Sequence, residues 1–280
     1  MNTNLNKTDT NNVNHIPLFD TTETSWNQWL AGVIDGDGYL AIQTSNNVAV
    51  CEITMPLEDE ALLFKIKQKL GGSIKPRSGA KAVRYRLCHR SGMIDLLHRI
   101  NGSIRNSLRM IQFKKLCEKF SIDYLQPGVL TLENGYIAGF FDADGTIFIG
   151  VGKTSQPDSV LPGTHGKITR LTNSKGYHQL IIEIANKYAE NLIFFQTAFG
   201  SGSIRAVTAR KKHQTHIYRI SDIDAFIYYV SKYPLHSVKM KRVLALKSYF
   251  EFKRIKAHLA DKPSIKSKAW AAFCKKWYNL

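Results

Sequence analysis

From Trp26 onward the chain states one pattern twice, and a repeat of that length restricts the fold more than any other feature. The first copy reads Trp29-Leu30-Ala31-Gly32-Val33-Ile34-Asp35-Gly36-Asp37-Gly38-Tyr39-Leu40. The second reads Tyr136-Ile137-Ala138-Gly139-Phe140-Phe141-Asp142-Ala143-Asp144-Gly145-Thr146-Ile147. The agreement continues downstream. Leu70-Gly71-Gly72-Ser73-Ile74 is echoed by Gly200-Ser201-Gly202-Ser203-Ile204, Arg84-Tyr85-Arg86 by Ile217-Tyr218-Arg219, and Ser103-Ile104-Arg105 by Ser237-Val238-Lys239. The offset grows from 107 at the motif to 130–134 further on, so the second half carries about 25 extra residues. They fit best between Lys153 and Tyr177, where Gly, Pro, Ser and Thr predict a long loop or hairpin. A repeat this long is a pair of half-domains rather than a solenoid.

Each half carries the same order of elements. A short helix ends at the Gly-Asp-Gly or Ala-Asp-Gly step. Two strands follow, at about 39–44 and 48–54 in the first half, and then a helix at 57–70 or 188–199 with apolar residues at helical spacing. Two further strands (73–77 and 82–89; 203–209 and 216–221) lead to helices at 92–100 and 107–120, or 222–232 and 238–257. The pattern is αββαββα, twice, which indicates an α+β architecture with antiparallel sheets. Residues 25–122 form the first half, 123–131 a linker and 132–257 the second half. Residues 1–24, rich in Asn and Thr, read as a flexible arm, and 258–280 as a basic helix or tail.

The apolar positions of each motif (Leu30, Ala31, Val33, Ile34; Ile137, Ala138, Phe140, Phe141) leave no polar face, so both helices are expected to be buried. Gly32 and Gly36 share a helix face, as do Gly139 and Ala143. Small residues at that spacing let two backbones approach closely, and Gly inside a helix otherwise costs about 0.5–1 kcal/mol. The two motif helices are therefore expected to pack together at a pseudo-twofold interface. Asp35, Asp37, Asp142 and Asp144 then stand at helix C-termini, facing the wrong end of the dipole. Apposed helices bring them together, so a positive group should compensate, and hard divalent cations take carboxylate and carbonyl oxygens. Acids two apart do not share a helix face, so one per motif can enter the shared centre while the other is structural.

Charge points to the partner. Lys+Arg number 39 against 22 Asp+Glu, a net of +17, which predicts a polyanion. Residues 1–128 hold 16 basic and 12 acidic side chains and residues 129–280 hold 23 and 10, so the halves meet that partner unequally. A hydrophobic fraction of 44% excludes a mostly disordered chain. No run approaches the roughly 18 apolar residues of a membrane span. The absence of an apolar leader core and of any Arg before Arg77 argues against secretion and against an Arg-rich presequence. Cys51, Cys88, Cys117 and Cys274 fit neither a zinc site nor a disulfide framework and are expected to be reduced.

Leu30–Gly38 (LAGVIDGDG) and Ile137–Gly145 (IAGFFDADG) resemble the two motifs of a single-chain LAGLIDADG homing endonuclease, and the flanking strand–helix order extends the likeness from Trp26 to about Phe250. The resemblance implies a saddle of antiparallel sheets over double-stranded DNA, with the motif helices at the interface. It implies that the second acid of each motif, Asp37 and Asp144, binds Mg²⁺ (Ca²⁺ or Mn²⁺ substituting), helped by the carbonyls of Gly36 and Ala143. The implied reaction is attack of water on one phosphate of each strand of a long, non-palindromic site, leaving 3′ overhangs. A Lys near the start of the last helix falls on Lys239 and, in the first half, on Arg105. A Gln or Asn at the end of the second strand falls on Asn186. The first-half position is Met55, which cannot orient a water, so the half-sites are expected to be unequal. The resemblance further implies a monomer encoded in an organellar intron, mitochondrial in the first place or chloroplast, with no membrane partner.

Strand alternation places Arg84 and Arg86 on one face, with Lys75, Arg77, Arg205, Arg210 and Arg219 on comparable strands and Gln43 and Lys153 on the first strands. These are candidates for base edges or phosphates in DNA, each with solvated surface as its plain alternative. Two other functions share the pattern: an intron maturase holding structured host RNA, and a catalytically silent DNA-binding protein. Intact Asp37 and Asp144 favour cleavage. An EF-hand is excluded because Tyr39 and Leu40 stand where its loop requires Asp or Asn and then Gly. Basic residues after Phe252 read as a solvated helix or tail, and His165, His178, His213 and His216 as solvent or phosphate contacts.

Overall fold

The computed structural model describes residues 22–152, 161–208 and 214–280. The expected arm over residues 1–21, Lys153, Arg210 and His213 lie outside the described residues. The Thr22 hydroxyl accepts the Ser25 N–H and caps α1 (Glu23–Asp37). The helix thus takes in Glu23 and Thr24, which the sequence assigned to the arm; a good N-cap outweighs polar composition there. α1 runs without a loop into β1 (Gly38–Ile42), followed by β2 (Ala49–Pro56), α2 (Glu60–Leu70), β3 (Ser73–Pro76), β4 (Ala82–Leu87), α3 (Arg90–Ile100) and α4 (Ser107–Phe120). The direct helix-to-strand step requires glycine, since a Cβ at Gly38 would lie 2.5 Å from the Ile34 carbonyl oxygen.

The second half repeats this order as α5 (Tyr136–Asp144), β5 (Gly145–Val151), β6 (His178–Asn186), α7 (Glu190–Phe199), β7 (Ser203–Thr208), β8 (Gln214–Ile220), α8 (Ile223–Lys232) and α9 (Lys239–Arg254). Each half forms a four-stranded antiparallel sheet, ordered β1-β2-β4-β3 and β5-β6-β8-β7. One face of each sheet is covered by helices. Val83, Tyr85 and Leu87 of β4 are buried in the core, while Arg84 and Arg86 between them stay on the open face. The fold is α+β with paired pseudo-symmetric halves, as expected, and each half closes with the two helices read from the sequence.

The motif helices form the centre. Leu30, Val33, Ile34, Ile137, Phe140 and Phe141 are fully buried. A Cβ added at Gly32 would lie 2.1 Å from the Tyr136 carbonyl oxygen, and one at Gly139 would lie 1.8 Å from that of Trp29. The two backbones touch, and no side chain fits between them.

Three expectations are corrected. The insertion read as a loop or hairpin contains a helix, α6 (Gly163–Thr172), between β5 and β6. Residues 265–277 form α10 (Ile265–Trp277), which is not solvated all round: Trp270, Phe273, Cys274 and Trp277 are buried against α9 and α6. Lysines dominate its exposed side and mask that apolar stripe in a composition count. His178 is buried as well, its ring stacked on Trp270 at 5.3 Å and its Nδ1 2.6 Å from the Ser174 hydroxyl. All four cysteines are free, with Cys88 exposed. Among the described residues no helix is long and apolar enough to cross a membrane.

Candidate active site

The four motif aspartates separate into two pairs. Asp35 Oδ2 accepts the backbone N–H groups of Arg105 (2.6 Å) and Asn106 (2.9 Å), just ahead of α4, and the Tyr136 hydroxyl (2.6 Å). Asp142 accepts the N–H groups of His236 and Ser237 (both 2.9 Å), just ahead of α9, and the Trp29 indole N–H (2.8 Å). Trp29 and Tyr136 are equivalent positions of the repeat, so each motif helix supplies the aromatic donor to the other's first aspartate. These acids tie the last helices of each half to the interface. Burial nevertheless pushes the Asp35 carboxyl up to about 6 and raises that of Asp142.

Asp37 and Asp144 stand one turn-end further, half-buried at the foot of the interface. Gly36 and Ala143 face each other there: a Cβ at Gly36 would lie 2.3 Å from the Ala143 Cβ and 3.7 Å from Asp144 Oδ2. Burial lifts Asp37 to about 6, with the Asp59 charge adding to it. Burial and the Asp37 charge lift Asp144 to about 7. Among the described residues no hydrogen bond reaches the Asp37 carboxylate.

Cations answer this charge from both halves. Lys239 opens α9 and donates to the carbonyls of Phe141 (3.0 Å), Asp142 (2.7 Å) and Ala143 (2.8 Å), closing the end of α5. Its charge lowers the pKa of both Asp37 and Asp144. In the first half the corresponding place belongs to Arg109, not Arg105. Arg109 Nε donates to the Ile34 carbonyl (3.2 Å), the repeat equivalent of Phe141, and its charge reaches Asp37 and Asp144. The Arg105 guanidinium turns to the Gly128 carbonyl and lies 5.3 Å over the Tyr136 ring. The shared contacts to Asp35 and Asp142 pair Arg105 with His236, a register three residues from the match of Ser103-Ile104-Arg105 to Ser237-Val238-Lys239; it sets Leu108 opposite Lys239, and Arg109, one residue further on, supplies the cation.

The Asn186 amide lies near enough to Asp144 to lower its pKa, and its Oδ1 accepts from Asn191 Nδ2 (3.0 Å) and the Tyr188 N–H (3.1 Å). Strand pairing confirms its counterpart: Gly38 sits opposite Ile53 and Gly145 opposite Ile184, so Met55 and Asn186 are equivalent. Met55 is buried, and the Asp37 side lacks an amide. It has a carboxylate instead. Asp59 accepts the Val238 N–H (2.7 Å) at the start of α9, as Asn191 accepts the Ser107 N–H (3.0 Å) at the start of α4. Asp59, like Arg109, escaped the sequence reading because neither lies in the motif.

Asp37 and Asp144 fit a divalent cation, being hard oxygen donors that their own repulsion and burial leave short of positive charge. The carbonyl of Ala143 is already engaged by Lys239. Among the described residues no three His, Cys, Asp or Glu side chains cluster as a metal site. The open sheet faces carry the other candidates. Arg84 and Arg86 flank Glu52 at 3.3 and 3.5 Å, and Arg205 and Arg219 both lie 3.0 Å from Glu183. Lys75 and Arg77 are exposed on and just after β3, and Gln43 sits in the turn after β1.

The family profile described as LAGLIDADG endonuclease matches residues 137–250. The intron-encoded DNA endonuclease ai2a of Dictyostelium discoideum is 33% identical over 254 residues, covering 90% of this chain and 75% of that protein. The chain belongs to the LAGLIDADG family. The intron-encoded RNA maturase bI4 of Saccharomyces cerevisiae is 38% identical over 267 residues, 95% of this chain. The chain spans 38% of the length of that relative and of the other first curated relative it matches. Among solved structures, the LAGLIDADG meganuclease I-AabMI bound to uncleaved DNA shares the fold, with a TM-score of 0.63 at 20% identity over 89% of this chain and 98% of the other.

Proposed function

We propose that this chain is a divalent-metal-dependent homing endonuclease, acting as a monomer on both strands of a long, non-palindromic duplex DNA site and leaving 3′ overhangs. The observation that carries the reading is the pair of under-neutralised carboxylates, Asp37 and Asp144, at the foot of touching helices. They and the Gly36 carbonyl would hold the cation, Mg²⁺ in the first place. When bound, it supplies Lewis acidity to a phosphodiester and to an attacking water. The open sheet faces bring the duplex to this foot, Lys75 and Arg77 contacting phosphates and the strand arginines bases or phosphates. Lys239 and Arg109 place positive charge where the phosphate gains negative charge. Asn186 orients the Asp144 carboxylate, and Met55 leaves its twin without that help.

A randomised duplex library incubated with the protein and Mg²⁺, with the cut ends sequenced, reads out site and overhang; Ca²⁺ in place of Mg²⁺ separates binding from cutting. Asp37→Asn and Asp144→Asn are each expected to abolish double-strand cleavage while keeping affinity within a few-fold. Two single variants that still cut both strands would falsify the assignment. Synthesis within an organelle, the mitochondrion first, accompanies this reading and is favoured by the intron-encoded names of the relatives. A structured intron RNA is the second proposed partner, favoured by the maturase relative and by abundant cations away from the open sheet faces.

A further inference from the structure

Most of the chain's excess positive charge lies behind the sheets. Residues 240–280 hold eleven Lys and Arg against only Glu251 and Asp261. Nine of the eleven are exposed, and among the described residues only Arg254 of these meets a carboxylate, Glu251. On the open faces, by contrast, Arg84 and Arg86 share Glu52, and Arg205 and Arg219 share Glu183.

The two sets of cations are on opposite sides of the second sheet. His178 belongs to the covered side of β6, with Leu180, Ile182 and Ile184. Tyr249 of α9 and Trp270 of α10 meet its ring at centroid distances of 6.0 and 5.3 Å. A helix is about 10 Å across, and the Debye length at physiological ionic strength is about 8 Å. Cations on the outer side of this layer are therefore screened from a duplex on the open face.

Within the layer, the end of α6, the turn after α9 and the start of α10 surround a cavity of about 500 Å³. Asn173, Lys175, His258, Lys262, Ser267 and Trp270 are among its walls. Lys175 and Lys262 are exposed, Lys262 donating to Asn173 Oδ1 (2.6 Å), and Asp261 is the one acidic residue in the lining. Trp270, 2% exposed, forms part of the wall.

We propose that this cavity receives an unpaired nucleotide of a structured RNA whose backbone follows the lysines of the α9–α10 layer. Size and polarity suit a base with its ribose, and cations at the rim suit the flanking phosphates. A base enters such a pocket only when unstacked, and loops and bulges of folded RNA present bases in that state whereas duplex DNA does not. The proposal rests on the RNA-partner reading and is independent of the cleavage reading.

The test uses the full chain, a folded tRNA transcript carrying 4-thiouridine in its loops, and a random-sequence duplex DNA, in about 150 mM salt. Photocrosslinks are expected within residues 170–176 and 257–270, and excess duplex should leave the bound RNA in place. Lys175→Glu/Lys262→Glu/Lys266→Glu is expected to weaken RNA binding at least tenfold and duplex binding less than twofold, with an unchanged melting temperature. If that variant melts early, the Lys→Gln triple should show a smaller loss in the same direction. Crosslinks on the strands, or RNA displaced one-for-one by duplex, overturn the site while leaving an RNA partner standing. No RNA binding overturns both. A triple variant that loses phosphatidylserine-vesicle binding but keeps RNA would reassign the surface to a membrane.

Discussion

Two residues of spacing separate two kinds of work in each motif. Asp35 and Asp142 each receive three donors, whereas Asp37 and Asp144 are left facing each other's charge. Asp142→Ala would strand the His236 and Ser237 N–H groups and the Trp29 indole without an acceptor. We expect a loss of about 3–5 kcal/mol in urea unfolding, since each buried unmet donor costs about 1–3 kcal/mol. Asp144→Asn acts in the opposite sense. With divalent cations chelated it removes a repulsion, so a higher melting temperature than the parent is expected at pH 8, and added Mg²⁺ should narrow the gap. Asn186→Ala is expected to slow nicking of one strand by about 10–100-fold while sparing the other, read on end-labelled duplex, as loss of a supporting polar partner at such sites usually does. The aspartates were legible because helical spacing tells which acids share a face. Arg109 was not, because the register set by the contacts to Asp35 and Asp142 matches Leu108 to Lys239, and the role of Arg109 shows only in its own bond to the Ile34 carbonyl.

Helix α1 lies on α5 so closely that Gly32 and Gly139 are dictated by contact rather than by flexibility. Gly139→Ala must force the backbones apart and is expected to cost more than about 3 kcal/mol, with loss of cleavage accompanying the shift of Asp144. This pairing was readable from small residues four apart on apolar helices. The sheets were readable too, from alternation such as Val83-Arg84-Tyr85-Arg86-Leu87. The α6–α10 layer was not, since α6 has only Ile168 and Leu171 as large apolar residues and the apolar stripe of α10 is interrupted by four lysines and buried only once it packs on α6, α9 and His178. His178 gives this layer a pH signature. Burial, with the Lys253 and His258 charges beside it, lowers its pKa from 6.5 to about 4. Above pH about 6.5 the imidazole is neutral in both states. As pH falls towards 4 the unfolded chain takes up a proton that the fold refuses, and stability drops by on the order of 3 kcal/mol. Unfolding of the parent across that window, beside His178→Gln, checks this; parallel curves would remove His178 as the cause.

Across the molecule, charge is partitioned rather than spread. The net of +17 suggested a DNA saddle, yet each sheet face pairs its strand arginines with one glutamate, Glu52 or Glu183. Such pairing holds two guanidinium groups in fixed positions and withholds them from phosphates at large. A duplex that offers a base acceptor at the right place competes with the glutamate, while a random duplex gains less. The open faces therefore trade general affinity for discrimination, and phosphate attraction falls to unpaired cations such as Lys75 and Arg77. Glu52→Gln/Glu183→Gln should release the four arginines. Binding to random duplex is expected to rise tenfold or more at about 150 mM salt, and log K against log salt to steepen by roughly 1–2 as freed arginines take phosphates. Affinity for the selected site should rise less, so the ratio of specific to non-specific binding falls. Random-duplex affinity and salt slope both unchanged would mean that the glutamates leave the arginines as available as solvent does, and that discrimination resides elsewhere on the strands.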